Sequence, residues 1–264
     1  MSEGPLKLGC ATFVFLTLFG LIGIPFLIEK ESEFTEQQPT YQHVSGISRM
    51  ELLPPSSIPP ITEKWVNNNY KDAGLLYLDW KKIRFACASA SGTDGRQHFV
   101  NSYLVGYAPY KTENAWEPFN VIAKKKVYLR DRYQYGRGEV WQTSKEAYFN
   151  TRGDCEDHSL VIADWMIEMG FDARVVGGMK SHNGRNPGGH AWVILFHKGK
   201  EYLLEATIKK ATDTRILPLA RLMTDYHPEC MFNREFFWVN RGNPVWTKRY
   251  SGKNWVKQSR FRTD

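Results

Sequence analysis

The run Arg152-Gly-Asp-Cys-Glu-Asp-His158 leads straight into a segment, Ser159 to Gly170, that is apolar on nearly every face: Leu160, Val161, Ile162, Ala163, Trp165, Met166, Ile167 and Met169. A helix apolar all round is a buried one, so this chain must build layers around it. Gly170 is a natural residue to end the helix. At its other end, Asp154 is placed to cap, with Asp157 three residues on in the manner of a capping box. Cys155 then sits at the helix tip, where the macrodipole and free N–H groups favour a thiolate. Most free cysteines are small buried hydrophobes. Three carboxylates within three positions are odd company for an inert one, so the expectation is a nucleophile facing a cleft.

Two downstream segments supply its partners. His190-Ala-Trp-Val-Ile-Leu-Phe196 is a strongly apolar strand, His197-Lys-Gly-Lys200 a turn, and Glu201 to Thr207 the return strand. A two-residue turn at Lys198-Gly199 puts His197 opposite Lys200 and Trp192 opposite Glu205. Side chains alternate along a strand, so His190 and Glu205 become diagonal neighbours on one face, roughly 7 Å apart. A three-residue turn would separate them. A thiol, an imidazole and a carboxylate make a nucleophilic machine: the ring takes the thiol proton and the acid orients the ring. The Cys155 backbone N–H can serve the oxyanion. The Trp141 indole N–H and the Gln142 amide are candidates for the second donor.

These residues closely resemble the transglutaminase-like superfamily: Trp141-Gln-Thr-Ser-Lys-Glu146, Gly153-Asp-Cys-Glu-Asp157, Gly189-His-Ala-Trp192 and Leu204-Glu-Ala-Thr207. The nearest branch is the bacterial transglutaminase-like cysteine peptidases, and the resemblance covers Val121 to Thr207. It implies an α+β, papain-like core, a buried helix packed on an antiparallel sheet, with Cys155 and His190 as catalytic residues. Family members usually carry Asp where Glu205 stands. No cofactor is required. Some relatives bind calcium through acids flanking the nucleophile, here Asp154 and Glu156, whose plainer role is capping and solvation. Adjacent residues on one helix cannot converge on zinc, so His158 is set aside. The implied partner is a protein or peptide substrate. The competing outcomes are acyl transfer to an amine, giving cross-links, and a non-catalytic scaffold. Intact Cys155, His190 and Glu205 speak against the scaffold.

Leu8 to Ile28 carries no charge and is long enough to cross a bilayer, with no cleavage site after it. The expected layout is a single transmembrane helix in residues 1–28, a proline-rich linker in 29–60 and the hydrolase domain in 61–264. The domain is expected on the periplasmic or outer side of a plasma membrane. Lys82–Ala88, His98–Tyr107 and Phe171–Met179 read as strands, Phe119–Leu129 as a helix, and Lys180–Gly189 as a loop. Thr143 or Ser144 should cap a short helix ending near Phe149. Net charge is +7, with cations concentrated from Arg241 onward as a basic tail. That tail could meet anionic lipid or simply be solvated. No nucleic-acid module is present. Four cysteines are too few for a disulfide scaffold. Cys87 and Cys230 are left either to pair or to stay free.

Overall fold

The structure, a computed structural model, describes residues 7–11, 48–53, 59–70, 74–80, 83–182, 184–208 and 217–263. In chain order the first elements are β1 (Lys7–Ala11), β2 (Arg49–Leu52), β3 (Ile61–Thr62), α1 (Glu63–Asn69), β4 (Gly74–Trp80), β5 (Ile83–Ser91) and β6 (Gln97–Phe99). Then come α2 (Glu117–Lys125), β7 (Val127–Tyr128), α3 (Asp131–Gln134), α4 (Ser144–Phe149), β8 (Arg152–Gly153) and α5 (Cys155–Glu168). The rest is strand: β9 (Asp172–His182), β10 (Arg185–His197), β11 (Lys200–Leu204), β12 (Tyr226–Phe232), β13 (Phe236–Asn240) and β14 (Trp255–Arg262).

An eight-stranded sheet runs β11-β10-β9-β12-β13-β14-β2-β3, antiparallel at every pairing. Helix α5 lies against its β9 and β10 strands. Period-2 alternation sorts their residues. Val175, Val193 and Leu195 join Leu160, Val161 and Ile162 in one core, while Val176, Trp192 and Ile194 join Leu203, Tyr226 and Trp238 in a second. Every residue of α5 from Cys155 to Met166 is buried, as an all-round apolar helix requires. Gly170 ends it with φ +84°. A buried leucine contributes about 1.5–3 kcal/mol by leaving water, so this helix is a main support of the fold. Leu160→Ala would cost about 2–5 kcal/mol.

The hairpin pairs His197 with Lys200 and Val193 with Leu204, the register of a two-residue turn; Lys198 and Gly199 take positive φ. Thr143 makes the full capping box with Glu146 at the start of α4.

Elsewhere the structure departs from expectation. Lys180–Gly189 is not a loop: β9 and β10 extend into it, with a bulge between Arg185 and Gly188. His98–Tyr107 is a short strand followed by a 3-10 turn, Val100–Tyr103. Helix α2 stops at Lys125. The linker does not reach residue 60, because Arg49–Leu52 pairs with β14 inside the large sheet. The start of the expected membrane helix, Lys7–Ala11, is a strand paired with β4; residues 12–28 lie outside the described residues. Among the described residues no helix is long and apolar enough to cross a membrane. The basic tail is an ordered loop closed by β14. Cys87 and Cys230 are buried free thiols, both pushed up to about 12 by burial.

Candidate active site

Cys155 and His190 line one cleft of about 770 Å³, together with Asp131, Glu139, Asp154 and Glu156. Helix α5 carries the cysteine at its first residue. The loop that feeds it is fixed by Lys126, whose Nζ donates to the carbonyls of Ala147 (2.8 Å), Asn150 (2.9 Å) and Arg152 (3.2 Å). Strand β10 carries His190, and Glu205 follows the end of β11 directly.

The strand side of the cleft is satisfied. His190 Nε2 hydrogen-bonds Glu205 Oε2. The same oxygen accepts from Lys180 Nζ (3.1 Å) and Tyr226 OH (3.0 Å). Glu205 Oε1 accepts from the Thr207 N–H (3.0 Å) and hydroxyl (2.5 Å). Burial alone would raise the Glu205 carboxyl. The His190 charge and hydrogen bond, then Lys180 and Thr207, outweigh it and hold the group well below the usual carboxylate range. His190 also stacks on Trp192, with centroids 6.3 Å apart. With Nε2 taken by Glu205, Nδ1 is the ring nitrogen left for proton transfer.

The helix side is a crowd of acids. Oxygens of Asp131, Glu139 and Glu156, and of Asp131, Asp154 and Asp157, converge to within 4.8 Å, as do Asp154, Cys155 and Glu156. Buried oxygens of Asp131 (Oδ1), Asp154 (Oδ1) and Glu156 (Oε1) have no hydrogen-bond partner. Burial, then mutual repulsion centred on Asp154, pushes Asp131 up to about 9 and Glu139 up to about 8. Asp157 rises to about 7, moderated by Lys126 and by the hydrogen bonds from Gln142. The thiol is affected too. Burial and the Asp154 charge push Cys155 well above an ordinary cysteine, against the N–H of Ala191, which donates to it. In this state the thiol donates to Glu156 Oε2 (3.3 Å). A helix tip was expected to favour the thiolate; burial among carboxylates opposes that.

Three other sequence expectations change. Asp154 occupies the position before α5 but makes no side-chain cap. Asp157 instead accepts from the Gln142 N–H (3.0 Å) and Nε2 (2.5 Å). That bond, with one to the Arg152 carbonyl (3.2 Å), engages the Gln142 amide. The Trp141 indole donates to Glu139 (2.7 Å). Both proposed oxyanion donors are therefore engaged within the protein, and what they position is the acid cluster. Sequence reasoning missed Lys180, Thr207 and Tyr226 around Glu205, and Asp131 and Glu139 beside the cysteine. Thr207 was visible in the Glu205-Ala-Thr run. The others come from remote segments with no spacing signal. His158 is buried and packs edge-on to Tyr128 at 6.3 Å; the converging acid groups do not include it. His182 is exposed at the cleft rim.

Comparison with known proteins adds a coarse placement. Searching curated proteins by sequence returns no match. Among solved structures, Legionella pneumophila LapG in its EGTA-treated form aligns at 16% identity and TM-score 0.39, over 54% of this chain and 73% of that one. The calcium-bound form of LapG aligns at 16% and 0.39, over 55% and 76%. Residues 139–251 match the family described as the CEP76 peptidase-like domain. Over the stretch that holds Cys155, His190 and Glu205, this chain is similar to a peptidase-like domain.

Proposed function

We propose that this chain is a thiol hydrolase, a peptidase that works through Cys155, His190 and Glu205. The single observation that carries the reading is the buried Glu205 carboxylate bonded to His190 Nε2, on a cleft that Cys155 also lines. An ionised Glu205 holds the ring in one orientation and stabilises its charged form. His190 Nδ1 takes the thiol proton, and Sγ attacks the substrate carbonyl carbon. The backbone N–H of Cys155, at a helix start where no intrahelical acceptor exists, donates to the oxyanion. The C–N bond then breaks, and the imidazolium returns its proton to the leaving amine. Water, deprotonated by His190, cleaves the thioester and frees Cys155. Before this can happen the thiol must leave Glu156 for the ring.

Calcium fits the helix side. It takes six to eight oxygen ligands, and Asp131, Asp154, Glu156 and Glu139 offer hard oxygens, three of them buried without a partner. Bound there, calcium supplies the positive charge that these carboxylates lack, which lowers the thiol's proton affinity. Asp154 and Glu156 are thus two members of a larger set.

The test is alkylation with iodoacetamide near neutral pH, with calcium present. Cys155 should label much faster than Cys87 or Cys230, and His190→Ala should remove the difference. Equal rates in the native protein would sink the reading. Peptide cleavage with and without a primary amine separates hydrolysis from transfer, because transfer leaves the amine in the product.

A further inference from the structure

The basic region has a shape that the catalytic reading does not use. Between Arg241 and Lys257 the chain carries Arg241, Lys248, Arg249, Lys253 and Lys257 and no acid. Residues 241–254 form a closed loop between β13 and β14, pinned at its neck by the Arg241 N–H donating to the Asn254 carbonyl (2.7 Å). Compact loops whose ends meet are often functional.

The loop is rigid inside. Thr247 and Tyr250 are buried in it. Asn243 organises a tight turn, accepting from the Val245 N–H (2.9 Å), the Trp246 N–H (3.1 Å) and the Thr247 N–H (2.9 Å). Tyr250 stacks on Trp255, centroids 5.7 Å apart, and the Trp255 indole donates to the Arg249 carbonyl (3.1 Å). Glu201, at the base of the loop, is occupied by the N–H groups of Tyr250 (2.9 Å) and Ser251 (2.8 Å). Asp225 sits near Lys248, which is tied to the carbonyls of Thr224 and Tyr226.

What the turn displays is unusual. Trp246 is 79% exposed and Val245 46%, the tryptophan being the most exposed large apolar side chain among the described residues. Arg241, Arg249 and Lys253 on the same loop are exposed as well. A hydrogen-bonded turn holding an indole into water, on a loop that also exposes three cations, has the chemistry of the bilayer interface. Indoles favour the headgroup level, and cations there gain from anionic lipid.

We propose that loop 241–254 is a membrane-surface anchor that docks on anionic lipid headgroups, Trp246 and Val245 entering the headgroup–acyl boundary while Arg241, Arg249 and Lys253 meet the phosphates. The charge complementarity decides the occupant: a purely apolar partner would bury exposed cations against apolar surface, whereas anionic headgroups meet their charge.

The experiment is flotation of the full chain with phosphatidylcholine vesicles, with and without a phosphatidylserine fraction. Each variant is compared with the parent on the same vesicles, parent and variants sharing one amino-terminal segment. Anionic vesicles should capture the parent more strongly, and added salt should weaken capture. Arg241→Gln, Arg249→Gln and Lys253→Gln together should cost about a hundredfold at low salt. Trp246→Ala should cost about tenfold on anionic and neutral vesicles alike. Thermal midpoints monitor folding of each variant. Variants that float like the parent on every composition would overturn the proposal. So would parent protein that ignores phosphatidylserine vesicles but binds polyglutamate, which would point to an acidic protein instead.

Discussion

On the strand side of the cleft, Glu205 accepts from five donors on four residues. On the helix side, Asp131, Asp154 and Glu156 each keep a buried oxygen with no partner. The two sides therefore respond to pH in opposite senses. Glu205 has its folded pKa lowered. Its contribution to stability is present above the unfolded value, 4.5, and is lost as pH falls through the lower folded value. Asp131, Glu139 and Asp157 have theirs raised. Their contribution is fully present below the unfolded values, 3.8 and 4.5, and is lost as pH rises through about 7 to 9. One side is preorganised for an imidazole; the other crowds carboxyl groups whose ionisation burial and mutual repulsion oppose.

The largest expected effect breaks the strand side. Glu205→Gln keeps the shape but removes the charge that orients the ring, and should reduce kcat on the order of 10⁴-fold. His190→Ala should do at least as much. If Glu205→Gln turns over peptide like the parent, the carboxylate is structural and the comparison fails on its better-built side.

Next comes the one buried cation on the helix side among the residues described around it. Lys126 holds three carbonyls and faces Asp157 and Asp154. Lys126→Met should cost about 3–5 kcal/mol in denaturant unfolding, the range for leaving buried charge uncompensated. A loss below about 1 kcal/mol would show that solvent already neutralises the acids.

A metal titration sharpens the contrast. Saturating calcium at about 100 times Kd should raise stability by about 2.7 kcal/mol. Asp131→Asn should abolish that gain. In chelator, the same variant should be more stable than the parent above pH 7, because the parent must hold Asp131 protonated in the folded state up to about pH 9 while the unfolded chain ionises it. Glu205→Gln should leave the calcium gain intact and flatten only the acid limb. A calcium gain that survives Asp131→Asn would place the ion elsewhere.

What the sequence disclosed divides along the same line. Helix α5 and the β10–β11 hairpin could be read because their signals are local: an all-round apolar run with Gly170 behind it, and a Lys198-Gly199 turn whose length sets parity. Pairing His190 with Glu205 followed from that parity alone. The helix side could not be read, because Asp131, Glu139 and Lys126 come from other segments and meet Cys155 only in the folded chain. The strands through Lys180–Gly189 were hidden by composition. Glycines read as loop, yet Gly188 and Gly189 lie in β10 and pair with Lys180 and Met179 of β9, a long-range pairing that composition does not reveal. Arg49–Leu52 was too short, and too far in sequence from β14, to be seen as a strand.

The smallest expected effect tests the strand side's redundancy. Tyr226 donates to Glu205 Oε2 from 3.0 Å and is itself buried. Tyr226→Phe deletes one donor of five and leaves no new polar group buried. A hydrogen bond to a charged acceptor contributes about 1.5–3 kcal/mol when it stands alone. With His190 and Lys180 still on the same oxygen, the loss should fall to about 1 kcal/mol or less, and kcat should change by only a few-fold. The same deletion on the helix side, Gln142→Leu, removes one hydrogen bond to the buried Asp157 and one to the Arg152 carbonyl, and leaves the Gln142 backbone N–H on Asp157. It should cost more than Tyr226→Phe in the same denaturation experiment. Reversal of that order would mean that the acids are the better supported of the two sides.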